Sequence, residues 1–157
     1  MAEPLRVLFL CTGNLCRSPF AAAMLVAEAR ARGGEERLEV SSAGTHARDG
    51  QPCPAPLLEV ATRYKLDLDA HRSRRFVVED FTTQDEIVAL DLGHLDHLNF
   101  LRPPQATARQ RLLLSGVDDA GTIEVPDPYG RTPRDYARAA ALIQMGVRKL
   151  LVDLLPA

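Results

Sequence analysis

Residues 5–20 read LRVLFLCTGNLCRSPF and contain the strongest structural signal in the chain. The apolar run Leu5–Leu10 is typical of a β-strand that is covered on both faces. After a polar turn, Ser18 and Pro19 predict a helix with serine as its N-cap and proline at its first position, which ends near Gly33. The apolar positions of this helix are Phe20, Met24, Ala27 and Ala31. The stretch therefore predicts a strand, a turn and a helix in direct succession.

The rest of the chain alternates strand and helix signals. Further strands are predicted at Leu38–Ser42, Ile87–Leu90 and Leu112–Leu114, and further helices from about Leu57 to Tyr64, from Asp91 to Phe100 and from Pro133 onward. Thr132 is a candidate cap for the last helix, whose apolar stripe comprises Tyr136, Ala140, Ile143, Val147, Leu150 and Leu154. Strands that alternate with helices predict a parallel sheet, and ligands bind such sheets beyond the carboxyl ends of the strands. The turn after the first strand is therefore the expected site.

The composition limits the classes of protein that need to be considered. At 157 residues and 46% hydrophobic content, the chain is expected to form one domain over residues 1–157. Its 19 lysines and arginines nearly balance its 21 acidic residues, so neither nucleic acid nor a membrane is expected as a partner. Residues 1–4 lack the basic region of a signal peptide, and the apolar run at 7–11 is too short to span a bilayer, so a cytoplasmic protein is expected. Three cysteines in a reducing compartment indicate thiol reactivity rather than a disulfide framework.

Cys11 and Arg17 are separated by five residues within the predicted turn. A loop that curls into a helix N-terminus directs backbone N–H groups inward, and the helix dipole adds positive potential, so such a loop can hold a phosphate dianion. The same field favours a thiolate at Cys11, and the planar fork of Arg17 can hold two phosphoryl oxygens. Gly13 and Asn14 tolerate the positive φ angles that the curl needs. The bare spacing occurs by chance in many proteins, but its place between a strand and a helix predicts a phosphate loop.

With these features the chain resembles the low-molecular-weight protein tyrosine phosphatases, whose hallmark is a cysteine, five residues, then arginine and serine near the N-terminus. The resemblance covers most of the chain and includes, in matching order, Ser41–Thr45, His71 with Ser73-Arg74, Ile87–Asp91 and Asp127–Tyr129. It implies a single three-layer α/β domain in which helices flank a four-stranded parallel sheet, with the flavodoxin-like topology of phosphatase I. It also implies hydrolysis of phosphotyrosine on a protein substrate by a monomer or weak dimer, with no cofactor and no metal.

The resemblance assigns chemical roles to three residues. Cys11 would attack phosphorus and become a phosphocysteine, Arg17 would bind the equatorial oxygens, and Asp127 would be the general acid and then the general base. Ser18 would hydrogen-bond the thiolate, and the loop amides would stabilise charge in the transition state. In isolation, Asp127-Pro128 is a common turn opener, so the role of this aspartate depends on the resemblance. The substrate-binding residues of the loop would be Thr12, Gly13, Asn14, Leu15, Cys16 and Ser18.

The resemblance also implies roles for residues around the loop. Asn14, Ser42 and His71 would form a hydrogen-bonded support for its backbone. Asp91 is expected to be structural. Cys16 matches a loop cysteine that can form a reversible disulfide with the nucleophile and protect it from over-oxidation, and a simple packed thiol is the alternative.

Three residues match the variable lining of the substrate slot, namely Leu15, Arg48 and Tyr129. Relatives that act on phosphoarginine carry threonine at the first of these positions, whereas phosphotyrosine enzymes carry a larger aliphatic residue, so Leu15 favours phosphotyrosine. Many relatives carry tryptophan where Arg48 aligns, but this chain has no tryptophan and is one residue shorter than those relatives in that segment. We therefore hypothesise that Arg48 favours acidic groups flanking the phosphotyrosine.

Two alternatives keep the phosphate loop but change its use. Arsenate reductases of the same fold pass electrons through two further downstream cysteines, and the only candidates here are Cys16 and Cys53, of which Cys53 matches no family position. A phosphopeptide-binding module without catalysis would not need Cys11, Arg17 and Asp127 together.

A third alternative is a metal site on the helix predicted after the third strand. His94 and His97 are spaced to share one helical face, with Asp91 or Asp96 as a further ligand. Polar residues at this spacing are also typical of a solvated helix face.

Overall fold

The computed structural model describes residues 2–157, and its architecture is built around one parallel sheet. The strands are β1 (Leu5–Cys11), β2 (Leu38–Gly44), β3 (Glu86–Ala89) and β4 (Arg109–Leu112). The helices are α1 (Arg17–Ala31), α2 (Ala55–Arg63), α3 (Asp80–Thr83), α4 (Leu92–Leu101) and α5 (Pro133–Leu154). The strand order is β2-β1-β3-β4, and every neighbouring pair is parallel.

β1 lies in the middle of the sheet because its side chains are apolar on both faces. Residues 7–10 have no exposed surface, as expected for a strand that is paired on both sides and covered above and below. Val7 and Phe9 pack into one hydrophobic cluster with α1, α2 and α5, whereas Leu8 and Leu10 pack into a second cluster with α3 and α4. Helices therefore cover both faces of the sheet, which confirms the predicted three-layer α/β fold with four parallel strands.

α5 forms as the sequence predicts. The Thr132 hydroxyl accepts a hydrogen bond from the backbone N–H of Asp135, and the Asp135 carboxylate accepts one from the backbone N–H of Thr132, which completes a capping box. The predicted stripe is buried from Tyr136 to Leu150, and Leu154 is half-buried. This stripe packs against α1, so the two longest helices cover the same face of the sheet.

The prediction of the fourth strand at Leu112–Leu114 is wrong, because β4 covers Arg109–Leu112. β4 is an edge strand that pairs only with β3, and its first residues are polar and partly exposed. The apolar residues Leu113 and Leu114 are buried after the strand has ended, where both approach Gly146 of α5. The apolar residues after Leu112 are therefore explained by packing against α5 and not by a place in the sheet.

The predicted start of the first helix is also wrong. α1 begins at Arg17, its N-cap position is Cys16, and no side chain caps it. Ser18 lies inside the first turn and directs its hydroxyl toward the loop. The buried face comprises Phe20, Ala21, Met24, Leu25 and Ala29, whereas Ala27 is half-buried and Ala31 is exposed.

Within residues 2–157, no helix is both long enough and apolar enough to cross a lipid bilayer.

Candidate active site

A cavity of about 270 Å³ opens beyond the carboxyl end of β1, where the fold class places ligands. It is lined by Cys11, Thr12, Gly13, Leu15, Cys16, Arg17, Asp127 and Tyr129. All three residues predicted to be catalytic therefore lie in one cavity, although Asp127 comes from the far end of the chain. Of the other predicted binding residues, Asn14 and Ser18 are fully buried and do not line the cavity, and Arg48 is exposed outside the cavity lining.

The loop between β1 and α1 has free backbone donors. In the part of the chain that the structure describes, the backbone N–H groups of residues 13–16 meet no acceptor, and the first helical hydrogen bond runs from Phe20 to the Cys16 carbonyl. Unpaired N–H groups at a helix start form a ready site for an anion. The loop can therefore accept the oxygens of a tetrahedral anion without rearranging its backbone.

Cys11 ends β1 with its sulfur beside a hydroxyl. Its Sγ lies 2.8 Å from Oγ of Ser18, which in turn accepts a hydrogen bond from the Asn14 side-chain amide. The Ser18 hydroxyl also lies 3.3 Å from the Ala43 carbonyl, but its single proton serves only one acceptor at a time. Because a thiolate has no proton of its own, Ser18 must be the donor when Cys11 is ionised. The geometry thus lets Ser18 donate a hydrogen bond to the sulfur.

Asn14 holds the loop in its curved path. Its φ is 56°, in the left-handed region that asparagine tolerates better than most residues. Its side-chain amide donates to Ser18 and Ser42, its side-chain oxygen accepts from the backbone N–H of Arg74, and its carbonyl accepts from Nε2 of His71. Burial lowers the pKa of His71 and favours the neutral ring, which still donates from Nε2. Gly13, in contrast, does not take the positive φ expected for it.

Arg17 is buried beneath the cavity with one corner of its guanidinium already bound. Its side chain is 3% exposed, and Nη1 donates to both the Asp91 carboxylate and the Val125 carbonyl at 2.8 Å. Its Nε has no hydrogen-bond partner. A buried donor without an acceptor is rare in folded proteins. Since Arg17 lines the cavity, an anion bound there would supply the missing acceptor.

Asp91 does more than the structural role that the sequence predicts for it. It caps α4 by accepting from the backbone N–H of His94, and it also binds Arg17. Burial is the largest single effect and raises the pKa of Asp91, but the interactions with Arg17 and His94 together hold it below its ordinary value. The carboxylate therefore remains charged and fixes the orientation of the guanidinium.

Asp127 lies at the exposed rim of the cavity. Its side chain is 53% exposed, and its Oδ2 lies 3.8 Å from Nη2 of Arg17. Its Oδ1 accepts from the backbone N–H of Tyr129, which fixes the turn. Tyr129 is 58% exposed and forms part of the cavity wall.

Gly44 supports the loop in a way that its sequence pattern did not signal. A Cβ at this position would lie 2.5 Å from the Thr12 carbonyl oxygen and 2.8 Å from the Asn14 nitrogen. Real Cβ atoms do not approach backbone atoms so closely, so only glycine allows β2 to pack against the loop. The sequence motif contains this glycine, but no local pattern shows what it touches.

The two further cysteines are buried thiols. Burial is the main cause that raises the pKa of both Cys16 and Cys53 to about 12. All three cysteines are free, and the Cys16 sulfur contacts the Tyr136 hydroxyl at 4.0 Å. The disulfide between Cys11 and Cys16 stays a prediction.

The histidines of α4 do not form the metal site considered above. Among residues 2–157, no group of three or more histidine, cysteine, aspartate or glutamate side chains is placed to hold a metal ion. His94 instead hydrogen-bonds to Thr12 of the loop at 2.9 Å, a contact that the sequence did not predict. His97 packs near the ring of His46.

The fold and this site define a phosphatase built on a phosphate-binding loop. The family model described as "Low molecular weight phosphotyrosine protein phosphatase" matches residues 6–156, and the chain belongs to this family of protein-tyrosine-phosphatases.

Individual relatives and a solved structure are similar to most of the chain. A low molecular weight protein-tyrosine-phosphatase of Streptomyces coelicolor is 39% identical over 130 residues, covering 79% of this chain and 77% of that protein. A protein-arginine-phosphatase of Geobacillus stearothermophilus is 34% identical over 139 residues, covering 87% and 86% of the two chains. The crystal structure of a protein tyrosine phosphatase from Entamoeba histolytica, with Hepes in its active site, superposes with a TM-score of 0.90 at 28% identity and covers 96% of each chain.

Proposed function

We propose that this protein hydrolyses phosphotyrosine on proteins through a phosphocysteine formed at Cys11. One observation carries this proposal. The Cys11 sulfur, the buried Arg17 with its free Nε and the unpaired backbone amides of the loop all lie at one cavity. Each of these groups is suited to a phosphoryl group, and Asp127 stands at the rim where the leaving oxygen would emerge.

In the first step the Cys11 thiolate attacks phosphorus. The S–P bond forms as the P–O bond to the tyrosine breaks, and Asp127 transfers its proton to the departing phenolic oxygen. Arg17 and the loop amides hold the three equatorial oxygens, so the charge that develops there meets fixed donors. The products are a free tyrosine side chain and a phosphocysteine.

In the second step water completes the cycle. The Asp127 carboxylate removes a proton from a water molecule, its oxygen attacks phosphorus, and the S–P bond breaks. Inorganic phosphate leaves, and Cys11 returns to the thiolate, which Ser18 again stabilises.

The preference for phosphotyrosine is supported by the cavity wall. Leu15 and Tyr129 line the cavity and offer apolar surface to an aromatic ring. A relative is named a protein-arginine-phosphatase, so phosphoarginine is the main competing substrate. Turnover of matched phosphotyrosine, phosphoserine and phosphoarginine peptides tests this preference. A higher kcat/KM on the phosphoarginine peptide would overturn it.

The preference of Arg48 for acidic residues that flank the phosphotyrosine remains a prediction. It is exposed and outside the cavity lining, so any influence must act on peptide residues beyond the phosphotyrosine. Arg48→Ala should reduce discrimination between acidic and neutral peptides, and unchanged discrimination would contradict the hypothesis.

The experiment that tests catalysis is hydrolysis of para-nitrophenyl phosphate with burst kinetics. We expect a burst and steady turnover in the wild type and no turnover in Cys11→Ser, with inorganic phosphate still binding to both. Phosphate binding without turnover in the wild type would instead indicate a phosphopeptide-binding module.

An arsenate reductase is the less supported alternative. The cysteines other than Cys11 are Cys16 and Cys53, both before β3, and both are buried thiols with a pKa raised to about 12. Thiol-dependent reduction of arsenate at a rate that exceeds phosphatase turnover would favour it.

Cys16 has a proposed protective role. Hydrogen peroxide oxidises the Cys11 thiolate to a sulfenic acid, and the Cys16 thiol then displaces water from it to form a disulfide, which a thiol reductant returns to two thiols. We expect the peroxide-treated wild type to recover activity with reductant and Cys16→Ser to recover less. Equal recovery would show that Cys16 is a packed thiol without a protective role.

A cytoplasmic location and a monomeric or weakly dimeric state remain predictions.

A further inference from the structure

His94 connects α4 to the phosphate loop. It is 3% exposed and lies in the first turn of α4. Its Nδ1 is 3.2 Å from the backbone nitrogen of Asp91, and its Nε2 is 2.9 Å from Oγ1 of Thr12. The imidazole therefore touches the residue that anchors Arg17 and the residue that follows Cys11.

The hydrogen-bond partners define which nitrogen of His94 carries the proton. A backbone N–H can only donate, so Nδ1 must accept from Asp91 with its lone pair. In a neutral ring the proton is then on Nε2, which donates to the Thr12 hydroxyl. Burial lowers the pKa of His94 to about 4, and the charge of Asp91 only partly opposes this, so the neutral ring dominates at pH 7. The approach of Nδ1 to the Asp91 carboxylate at 3.2 Å is thus not an ion pair at that pH.

This tautomer affects Arg17. Nη2 of Arg17 lies 3.5 Å from Nε2 of His94, and a protonated Nε2 cannot accept a hydrogen bond from it. Nη1 is already bound to Asp91 and Val125, whereas Nε has no partner. The edge formed by Nε and Nη2 is therefore the free edge of the guanidinium. With the proton on Nδ1 instead, Nε2 would accept from Nη2 and bind that edge.

We propose that His94 is a positioning residue for phosphoryl binding, whose Nε2–H tautomer fixes Thr12 and leaves the Nε and Nη2 edge of Arg17 for two phosphoryl oxygens. The inference rests on the proposed function only for the identity of the substrate. Binding of inorganic phosphate tests it without any turnover, so failure of the two proposals can be distinguished.

The tautomer can be observed directly. Long-range ¹H–¹⁵N correlation spectra of the full chain at pH 7 should show His94 neutral with its proton on Nε2. A ring protonated on Nδ1, or on both nitrogens, would overturn the proposal whether or not the protein hydrolyses phosphate esters.

Substitutions test the link to phosphate affinity. His94→Asn keeps an acceptor for the Asp91 N–H but loses the Nε2–H donor to Thr12. Thr12→Val removes the hydroxyl that accepts this hydrogen bond. His94→Asn and Thr12→Val should each weaken inorganic phosphate binding about five- to tenfold, the worth of one hydrogen bond. The double variant should be no weaker than either single one, because both remove the same contact.

Two comparisons separate positioning from a general loss of stability. His94→Gln places an amide N–H near the position of Nε2 and should restore most of the phosphate affinity, even though it loses the hydrogen bond from the Asp91 N–H to Nδ1 and lowers the melting temperature. His97→Asn, the same exchange one turn further along α4, should leave phosphate affinity unchanged. Additive losses in the double variant, or a His94→Gln variant as weak as His94→Asn, would contradict the proposal.

Discussion

The sulfur of Cys11 and the hydroxyl of Ser18 lie 2.8 Å apart, across the bend that joins β1 to α1. Ser18 can take this position because it belongs to the first turn of α1 and not to its cap. The same hydroxyl accepts from Asn14, which leaves its proton available for the sulfur.

Ser18→Ala should slow breakdown of the phosphocysteine more than its formation, because the departing thiolate loses its donor. A hydrogen bond to a charged group contributes about 1.5–3 kcal/mol, so steady-state kcat should fall roughly 10- to 100-fold while a burst persists. Stopped-flow kinetics with para-nitrophenyl phosphate measure both phases. Ser41→Ala, on the neighbouring strand β2, is the matched control, and an unchanged kcat in Ser18→Ala would count against the assigned role.

Asn14 combines a positive φ with three side-chain hydrogen bonds, and two substitutions separate these contributions. Asn14→Ala loses the hydrogen bonds and keeps the strained backbone, so its free energy of unfolding should fall by about 2–4 kcal/mol. Asn14→Gly loses the same bonds but removes the strain, so it should be more stable than the alanine variant by about 1 kcal/mol. Urea denaturation measures the difference, and kcat/KM should fall in both. An alanine variant at least as stable as the glycine variant would refute the account.

Gly44→Ala should disable the loop without affecting the rest of the fold to the same extent. The added methyl group would meet backbone atoms of Thr12 and Asn14, which cannot move without displacing the loop. A misplacement of about 1 Å costs roughly 100-fold in rate, which kcat/KM on an aryl phosphate would measure. Gly146→Ala is the control, since its Cβ would meet side-chain atoms of Leu113 and Leu114, which do not line the cavity. That variant should lose about 1–3 kcal/mol of stability and keep its activity.

The pH dependence of stability should report the burial of His94. Its pKa lies at about 4 in the folded chain, below its ordinary value of 6.5, so the unfolded chain binds the proton more readily. Stability is therefore fully present above pH 6.5 and is lost as the pH falls toward 4, by about 3 kcal/mol from this group. His94→Asn should show a shallower decline over the same window by urea denaturation at several pH values. Equal slopes in the two proteins would mean that the ring is not held neutral.

The sequence predicts an element well where one local pattern contains all the information. β1 is apolar on both faces because it is central, and α5 has a capping box and a long buried stripe. β4 lacks such a pattern. An edge strand needs little apolar surface, so the polar residues Arg109–Arg111 did not indicate a strand. The apolar run Leu112–Leu114 then predicted a strand where Leu113 and Leu114 pack against α5.

The same distinction holds for the candidate site. The spacing of Cys11 and Arg17 is local, so the loop could be predicted, and the resemblance supplied Asp127. The packing of Gly44 against the loop and the contact of His94 with Thr12 join segments that are remote in sequence. Such contacts depend on how β2 and α4 are placed around β1, which no single segment encodes.

Asp127→Asn should slow substrates according to their leaving groups. Asp127 is exposed at the rim and tied to Tyr129, so its carboxyl can reach an oxygen leaving the cavity. Phenyl phosphate has a poor leaving group that needs a proton, and its kcat/KM should fall 100-fold or more, within the range of about 10² to 10⁴ that general acid catalysis contributes. An activated ester such as para-nitrophenyl phosphate should lose much less, and Asp119→Asn, at an exposed aspartate outside the cavity, should change neither. Equal losses for the two esters would show that Asp127 acts on binding rather than on proton transfer, because only the poor leaving group depends on protonation.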